Sequence, residues 1–246
     1  MGRGSNLQPF GKLLSRPSLC SLPAPRNDAI SRKIFGQIPI GIYLCVMKFE
    51  PKSEKTRLWI IETTAPIFNK KGYAGTSISD LTEATGMTKG AIYGNFENKE
   101  DIALAAFEYN LKNRSGIIRK AIDSAPTYRE KLLVYAEIFR PAKKTPFPEG
   151  GCPMQNTGIE ADDTHELLRE KAAQALENSR KFLEDIVSKG IAAGEFLPGI
   201  NARRFATGLL AMVEGGIMLS GITKKNKDIE LVSDAIADLV NSISLS

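Results

Sequence analysis

Apolar side chains recur every three or four positions along most of this sequence, which is the spacing of one buried face on an α-helix. The first such stripe follows Ser53, a residue type that caps helix N-termini, and ends at Lys70–Gly72. Pro66 lies inside the stripe and lacks a backbone N–H, so a kink or a compensating contact is expected there. The apolar members of the stripe are Leu58, Ile61, Ala65 and Phe68.

Two short helices at a tight turn are predicted after the first stripe. Ile78 and Leu81 place apolar side chains on one face of a helix over about 77–84. Gly86 can adopt the left-handed conformation of a helix C-cap, and Thr88 can cap a second helix. The apolar positions of this second helix are Ala91, Ile92 and Phe96. The spacing is that of a helix-turn-helix.

Helical spacing also dominates the sequence downstream of this motif. A fourth helix is expected to open at Asn98 or Lys99 and to run to about residue 122, and a fifth is expected over about 127–140. A loop rich in proline and glycine follows, and it ends at Cys152. No segment requires a β-sheet, so the pattern predicts an all-α fold.

Three longer helices are predicted beyond that loop. Asp163 and Glu166 have the spacing of a capping box at the start of a helix that ends near Gly194. The last two helices are expected over about 202–222 and 228–244, and they are the most apolar part of the chain. Several glycines interrupt the first of these two, which favours close packing of another helix across it.

The net charge of +5 is not spread over the predicted helices. Residues 1–47 hold six basic and one acidic residue, residues 48–110 hold eight and nine, and residues 111–246 hold 19 and 18. Attraction to phosphate must therefore come from local placement of basic side chains. The candidates are Lys48, Lys52, Lys55, Arg57, Lys89 and Lys99.

Residues 1–47 are rich in Ser, Pro, Gly and Arg and have no helical period, so they are expected to be a disordered extension. One interpretation is an upstream extension of the reading frame, with the true start at Met47. The alternatives are a targeting peptide, because the segment is poor in acidic residues, and a basic arm that strengthens binding to DNA.

The sequence offers little for catalysis or for metal binding. Three cysteines without a CxxC pair and one histidine predict no zinc site, and no P-loop, Rossmann, HExxH or GxSxG motif occurs, so no enzyme activity and no cofactor are expected. His165 with its acidic neighbours is interpreted as helix capping rather than as a metal site. Cys152 is interpreted as a buried structural cysteine, with a redox-sensing thiol as the alternative. Cytoplasmic localisation is expected, without a membrane span.

The run GMTKGAIYGNFENKE, together with its flanks, resembles the DNA-binding domain of the tetracycline-repressor (TetR) family of transcriptional regulators. The resemblance covers about residues 53–105, and the segment GCPMQNTGIEADDTHELLREKA is similar to the C-terminal region of some members. The matching residues are Phe68, Gly72, Thr76, Ile78, Leu81, Ala84, Gly86, Lys89, Gly90, Ile92, Tyr93, Phe96, Lys99 and Glu100.

The resemblance implies an all-α protein with a three-helix DNA-binding domain over 48–100 and a helical effector-binding and dimerisation domain over 101–246. It implies a homodimer on double-stranded DNA with an inverted-repeat operator, acting as a repressor that a small apolar ligand releases. The alternative is a DNA-binding architectural or interaction protein with no effector response. Loss of DNA binding on addition of a ligand would separate the two.

Within the resemblance, the second helix of the motif is expected to contact base edges. Lys89 can donate to guanine, Asn95 can pair with adenine, Ala91 can touch a thymine methyl group, and Gly90 keeps this face small. Other polar residues are better suited to phosphate oxygens. These are Thr76, Ser77, Thr88, Tyr93 and Lys99.

The last two helices are expected to form a four-helix dimer interface, because both carry apolar residues on more than one face. The interface residues are expected to be Leu209, Leu210, Val213, Ile217, Val232, Ile236, Leu239 and Val240. Large apolar side chains further upstream are expected to line an effector pocket: Phe107, Phe139, Met154, Phe182 and Met212. Basic residues are sparse on these inward stripes, so a neutral or weakly polar ligand is expected.

Overall fold

Helices make up almost all of the regular structure over residues 52–245, the part of the chain that the computed structural model describes. The only β-pairing in that range is a single antiparallel bridge between Phe196 and Ser244. The predicted all-α class is therefore confirmed. The helices are α1 (Lys52–Gly75), α2 (Ile78–Thr85), α3 (Lys89–Tyr93), α4 (Lys99–Asp123), α5 (Tyr128–Glu137), α6 (Pro153–Ala161), α7 (Glu166–Ala192), α8 (Ala202–Thr223) and α9 (Asn226–Ile243). The predictions for residues 1–47 and for Lys48 lie outside the described residues.

Helix α1 buries Ala65 and Phe68 as predicted, and its buried stripe differs from the predicted one at Leu58. Leu58 is 47% exposed, whereas Ile60 is fully buried together with Ala65. The prediction for Leu58 is wrong because four consecutive apolar residues at 58–61 leave the register of the buried face undetermined. Ser53 lies within the first turn of α1 rather than ahead of it.

The break in α1 falls at Gly72 and not at Pro66. The helix continues through Pro66, and Gly72 has φ 74° and ψ 179°. This region of backbone space is accessible almost only to glycine. A Cβ at position 72 would also lie 2.2 Å from the Glu160 carboxylate, so glycine is required here for two reasons.

Helices α1 to α3 and the start of α4 share one apolar core, which we call the N-terminal cluster. It consists of Ile60, Ala65, Phe68, Leu81, Ile92, Phe96, Ile102, Ala103 and Ala106. The second half of α4 packs with α5, α7, α8 and α9 in a larger core, the C-terminal cluster, through Ile118 and Ile122. Helix α4 is therefore common to both clusters.

The predicted capping chemistry is present at the starts of α3 and α4 and differs at α7. Thr88 accepts a hydrogen bond from the Ala91 N–H, and Asn98 accepts one from the Asp101 N–H. At α7 the cap is His165, whose Nδ1 accepts from the Leu168 N–H at 3.3 Å.

The expected Asp163–Glu166 capping box is therefore wrong. The residues between α6 and α7 turn back, so that the backbone N–H groups of Thr164 and His165 donate to the Ala161 carbonyl. This turn delays the start of α7 to Glu166.

Helix α8 is the one described helix that is long and apolar enough to cross a membrane by length and composition, a test that core helices also pass. The sequence had suggested no such segment. One side of α8 packs on α9, where Gly216 admits the side chains of Ile229 and Val232. Nothing within 4 Å would meet a Cβ at Gly208 or Gly215 on its other side.

Candidate nucleic-acid interface and ligand cavity

Helix α3 is held by its inner face and leaves its outer edge open. Ile92 is fully buried in the N-terminal cluster. Gly86, with φ 67°, ends α2 and turns the chain sharply towards α3. The residues along the outer edge of α3 are all exposed: Thr88, Lys89, Gly90 and Ala91. A buried anchor with a small polar outer edge is the arrangement that a groove of DNA can receive.

Tyr93 and Asn95 lie beside this edge and are half-buried. The Lys89 ammonium lies 5.9 Å from the centre of the Tyr93 ring. Asn95 Nδ2 donates to the Ala91 carbonyl at 2.9 Å. One N–H and the carbonyl oxygen of the Asn95 amide remain, and these are the two groups that an adenine edge requires.

Thr76 does not face outward as predicted. Its side chain is only 1% exposed, and its hydroxyl donates to the Gly72 carbonyl at 2.6 Å. The prediction of a phosphate contact from Thr76 is therefore wrong, because the hydroxyl fastens the turn that follows α1. Ser77 is exposed, and it shares a capping box with Asp80. Lys71 and Ser77 together hold the pKa of Asp80 well below its usual range.

Lys99 acts chiefly as an internal brace. Its ammonium donates to the carbonyls of Tyr73 and Thr76, at 2.7 and 2.8 Å, and lies 4.3 Å from the centre of the Tyr73 ring. These bonds join the start of α4 to the junction between α1 and α2. The predicted phosphate contact would use the one ammonium donor that remains.

Arg57 is also engaged within the protein. Its guanidinium pairs with Asp101 at 3.2 Å, donates to the Asn95 carbonyl at 2.5 Å and stacks on Phe96. Among the basic residues suggested by the sequence, Lys55 and Lys89 are exposed and take part in no ion pair within the described range.

A set of polar contacts joins α1 to α6 and the loop before it, and sequence reasoning missed them. Glu160 accepts hydrogen bonds from the N–H groups of Tyr73 and Ala74, both at 2.8 Å, directly after the break at Gly72. Asn156 donates to the Asn69 carbonyl at 3.0 Å. Only the fold brings these residues together, so local sequence carries no signal for them.

His165 adds an aromatic contact and a polar contact to the same junction. Its ring packs edge-on against Tyr73 at 4.8 Å, and its Nε2 lies 3.0 Å from the Glu100 carboxylate. His165 therefore caps α7 and also connects α7 to α1, through Tyr73, and to α4, through Glu100.

Two cavities open among the helices of the C-terminal part. The first, of about 270 Å³, lies between α4, α5, α6 and α7 and is lined in part by Met154 and Phe182. The second, of about 220 Å³, is lined in part by Phe139. Phe107 packs in a small core with Cys152, and Met212 packs against the C-terminal cluster, so neither lines these two cavities.

A buried ion pair separates the two cavities. Arg114 lines both of them and pairs with Glu214 at 2.8 Å. Within the described residues, the second carboxylate oxygen of Glu214 and the hydroxyl of Tyr135 are buried and make no hydrogen bond of ordinary geometry. Burial raises the pKa of Tyr135, so this hydroxyl stays neutral.

Cys152 is buried beside this pair, and burial raises the pKa of its thiol to about 12. A buried, protonated thiol is a poor nucleophile, which favours the structural interpretation over redox sensing.

Basic residues are not sparse around the first cavity, contrary to expectation. Arg114 lines its wall, Lys112 and Arg119 are exposed at its edge, and no acidic side chain lines it. The sequence prediction omitted these residues because it located the cavity lining from apolar positions only.

The predicted dimer residues are largely internal. Five of them are buried within the single chain and cannot form a contact surface: Leu209, Leu210, Val213, Ile236 and Val240. Ile217, Val232 and Leu239 are half-buried. The exposed face of α8 carries instead Gly208, Ala211, Met218 and Ile222, and the half-buried Gly215 lies between them, so that all five are spaced three or four residues apart. On α9, Leu231 and Ala235 are exposed.

Comparison with known proteins covers both parts of the chain. The family model described as "Bacterial regulatory proteins, tetR family" matches residues 60–106, and "Tetracyclin repressor-like, C-terminal domain" matches residues 129–236. A TetR-family transcriptional regulator from Cytophaga hutchinsonii is 47% identical, covering 80% of this chain and 98% of that one, with a TM-score of 0.77.

Two further relatives agree with this match. A TetR transcriptional regulator from Chloroflexus aurantiacus is 35% identical, covering 79% of this chain and 99% of that one, with a TM-score of 0.75. The HTH-type transcriptional regulator TtgR of Pseudomonas putida is 27% identical over 177 residues, which are 69% of this chain and 82% of that protein.

Proposed function

Since this chain belongs to the TetR family of DNA-binding transcriptional regulators, we propose that it is a homodimeric, cytoplasmic repressor of an inverted-repeat operator that a small, mainly apolar ligand releases. The observation that carries the proposal is the exposed outer edge of α3, backed by a buried core. Residues 48–100 read DNA, and residues 101–246 bind the effector and the second subunit. Helix α4 belongs to both parts.

The outer edge of α3 reads bases in the major groove. Lys89 donates to guanine, Ala91 touches a thymine methyl group and Asn95 pairs with adenine. Gly90 has open space where a Cβ would lie, so the DNA can approach the α3 backbone closely. Ser77, Thr88 and Tyr93 contact phosphate oxygens, and Lys99 contributes its remaining donor.

The dimer forms through the exposed faces of α8 and α9. The three- and four-residue spacing of Gly208, Ala211 and Gly215 makes a flat stripe on which a second α8 can lie closely. A two-fold axis through this contact presents two copies of α3 to successive half-sites, so the operator is an inverted repeat.

The effector occupies the cavity of about 270 Å³ between α4 and α7. Helix α6 connects this cavity to the DNA-binding part, because Met154 at its start lines the cavity and Glu160 near its end holds the break in α1. A ligand that binds the DNA-incompetent arrangement more tightly shifts the population away from operator binding.

The test is to recover sequences that the purified full chain selects from genomic DNA of its source, and then to measure operator affinity with and without compounds that raise its melting temperature. We expect an inverted repeat and at least one stabilising compound that weakens binding. Sequence-independent binding contradicts the readout by α3. Operator binding unchanged by every stabilising compound favours an architectural protein.

A further inference from the structure

The edge of the first cavity carries two positive charges that make no ion pair within residues 52–245. Lys112 and Arg119 are both exposed, both line the cavity and lie two helical turns apart on α4. Neither takes part in an ion pair among the described residues, and Glu108, one turn before Lys112 on α4, pairs with Lys171 instead. Uncommitted cations at a cavity opening attract an anion.

The position of Arg119 is fixed across the opening. Its guanidinium lies 5.3 Å from the centre of the Phe182 ring on α7. A guanidinium that lies over an aromatic ring still has N–H donors available to a carboxylate. The Ser115 hydroxyl lies between Lys112 and Arg119 on the same side of α4.

The cavity behind this edge is mainly apolar. Leu111, Ile118, Met154 and Phe182 contribute to its wall, and Arg114 in the same wall is already neutralised by Glu214. The volume of about 270 Å³ corresponds to about nine water molecules at their liquid density, which is room for a small organic molecule.

We infer that the ligand of this cavity is an organic monoanion whose apolar body fills the space between α4 and α7 while its carboxylate is held at the opening by Arg119 and Lys112. This inference rests on the proposed ligand-release function and names the chemical class of its effector. Near the open edge the carboxylate keeps part of its hydration, so that the cations gain attraction without full desolvation of the anion.

A set of matched probes tests the charge preference in the full chain. Decanoate, decan-1-ol and decylammonium share one aliphatic chain and differ in head-group charge. Transfer into an apolar cavity alone favours the neutral alcohol, so tighter binding of decanoate requires the cations. Calorimetric titration is expected to give decanoate a Kd about tenfold lower than decan-1-ol, with no detectable binding of decylammonium.

Variants test whether the preference for decanoate comes from Lys112 and Arg119 or from the positive charge of α4 in general. Arg119→Ala with Lys112→Ala is expected to remove the preference for decanoate while leaving the affinity for decan-1-ol unchanged. Lys120→Ala is the matched control, because Lys120 is exposed next to Arg119 and does not line the cavity. Tyr135→Phe changes the wall without changing the charge and is expected to keep the preference.

Equal or tighter binding of the alcohol, a preference that survives the double substitution, or failure of decanoate to bind would each overturn the inference. Operator binding is measured separately on the same samples. Charge-selective binding without loss of operator affinity leaves this inference standing and contradicts ligand release. Loss of operator affinity with a neutral compound but not with decanoate supports ligand release and contradicts this inference.

Discussion

Gly72 illustrates how one residue joins backbone geometry to a contact between distant segments. Its φ of 74° breaks α1 and frees the N–H groups of Tyr73 and Ala74, which then donate to the Glu160 carboxylate. A side chain at this position would strain the backbone and displace that carboxylate. The resemblance of the sequence to its family included this glycine, but its partner Glu160 lies 88 positions away and has no local signature.

We expect Gly72→Ala to lower the free energy of unfolding by about 1 to 3 kcal/mol, because alanine is strained at this φ and ψ. Gly116→Ala is the control. Gly116 lies in α4 with nothing within 4 Å of where a Cβ would lie, so alanine should stabilise the helix there by about 0.5 to 1 kcal/mol. Urea unfolding measures both, and equal shifts of the same sign would contradict the conformational argument.

Lys89 and Lys55 are both exposed and take part in no ion pair within the described range, yet they are expected to act differently on DNA. Lys89→Ala should weaken operator binding by about 1 to 3 kcal/mol and relax the preference at one base pair of each half-site. Lys55→Ala, at the start of α1, should weaken all sequences alike and lower the salt slope by about 0.9 if it contacts one phosphate. Fluorescence anisotropy with single-base operator variants at several salt concentrations distinguishes these outcomes, and unchanged specificity in Lys89→Ala would remove it from base readout.

At the scale of elements, helix α6 provides a direct mechanical path between the cavity and the DNA-binding part. It is nine residues long and has Met154 near one end and Glu160 near the other. The contacts at both ends are side-chain contacts on one helix, so we propose α6 as the route by which ligand binding in the cavity displaces Glu160.

Glu160→Ala removes the acceptor for the Tyr73 and Ala74 N–H groups. We expect amide hydrogen exchange at these two residues to accelerate, because a charged acceptor contributes about 1.5 to 3 kcal/mol to such a bond. The Ser77 N–H provides an internal control, since it donates to Asp80 at 2.8 Å and does not depend on Glu160. Faster exchange at Ser77 as well would indicate general loosening of the segment rather than loss of a specific contact.

The sequence predicted where the helices lie along the chain better than it predicted which side of each helix is buried. Turn residues such as Gly86 and caps such as Thr88 act locally, so eight of the nine described helices follow from short-range chemistry. Helix α6 was missed, because it begins at Pro153, directly after the loop rich in proline and glycine, and has no side-chain cap. The buried face of α8 does not follow from short-range chemistry, because this helix is apolar on nearly every side and Leu209 is no more apolar than Met218. The internal hydrogen bonds of Lys99 were missed for a related reason, since the carbonyls that it binds are 23 and 26 positions away.

For the whole molecule, the dimer that we propose places the spacing of its two DNA-binding parts under the control of the exposed stripe of α8. A stable dimer buries roughly 800 Å² on each partner, and the exposed apolar residues of α8 and α9 are the largest such group on consecutive elements of the described chain. Two-fold symmetry makes each residue of this face meet the same face of the partner. A single substitution therefore acts twice in the dimer.

Ala211→Lys is expected to convert the dimer to a monomer at micromolar concentration, because two ammonium groups would be brought together in an apolar contact. The matched control is Ile159→Lys, which places the same charge at a residue that is 69% exposed on α6, away from the stripe. Sedimentation equilibrium measures the mass of each variant. Operator affinity should fall for Ala211→Lys while affinity for a single half-site is retained, since α3 and its core lie in a different part of the chain. If Ala211→Lys remains dimeric, or if Ile159→Lys dissociates as well, the interface does not lie on this face of α8.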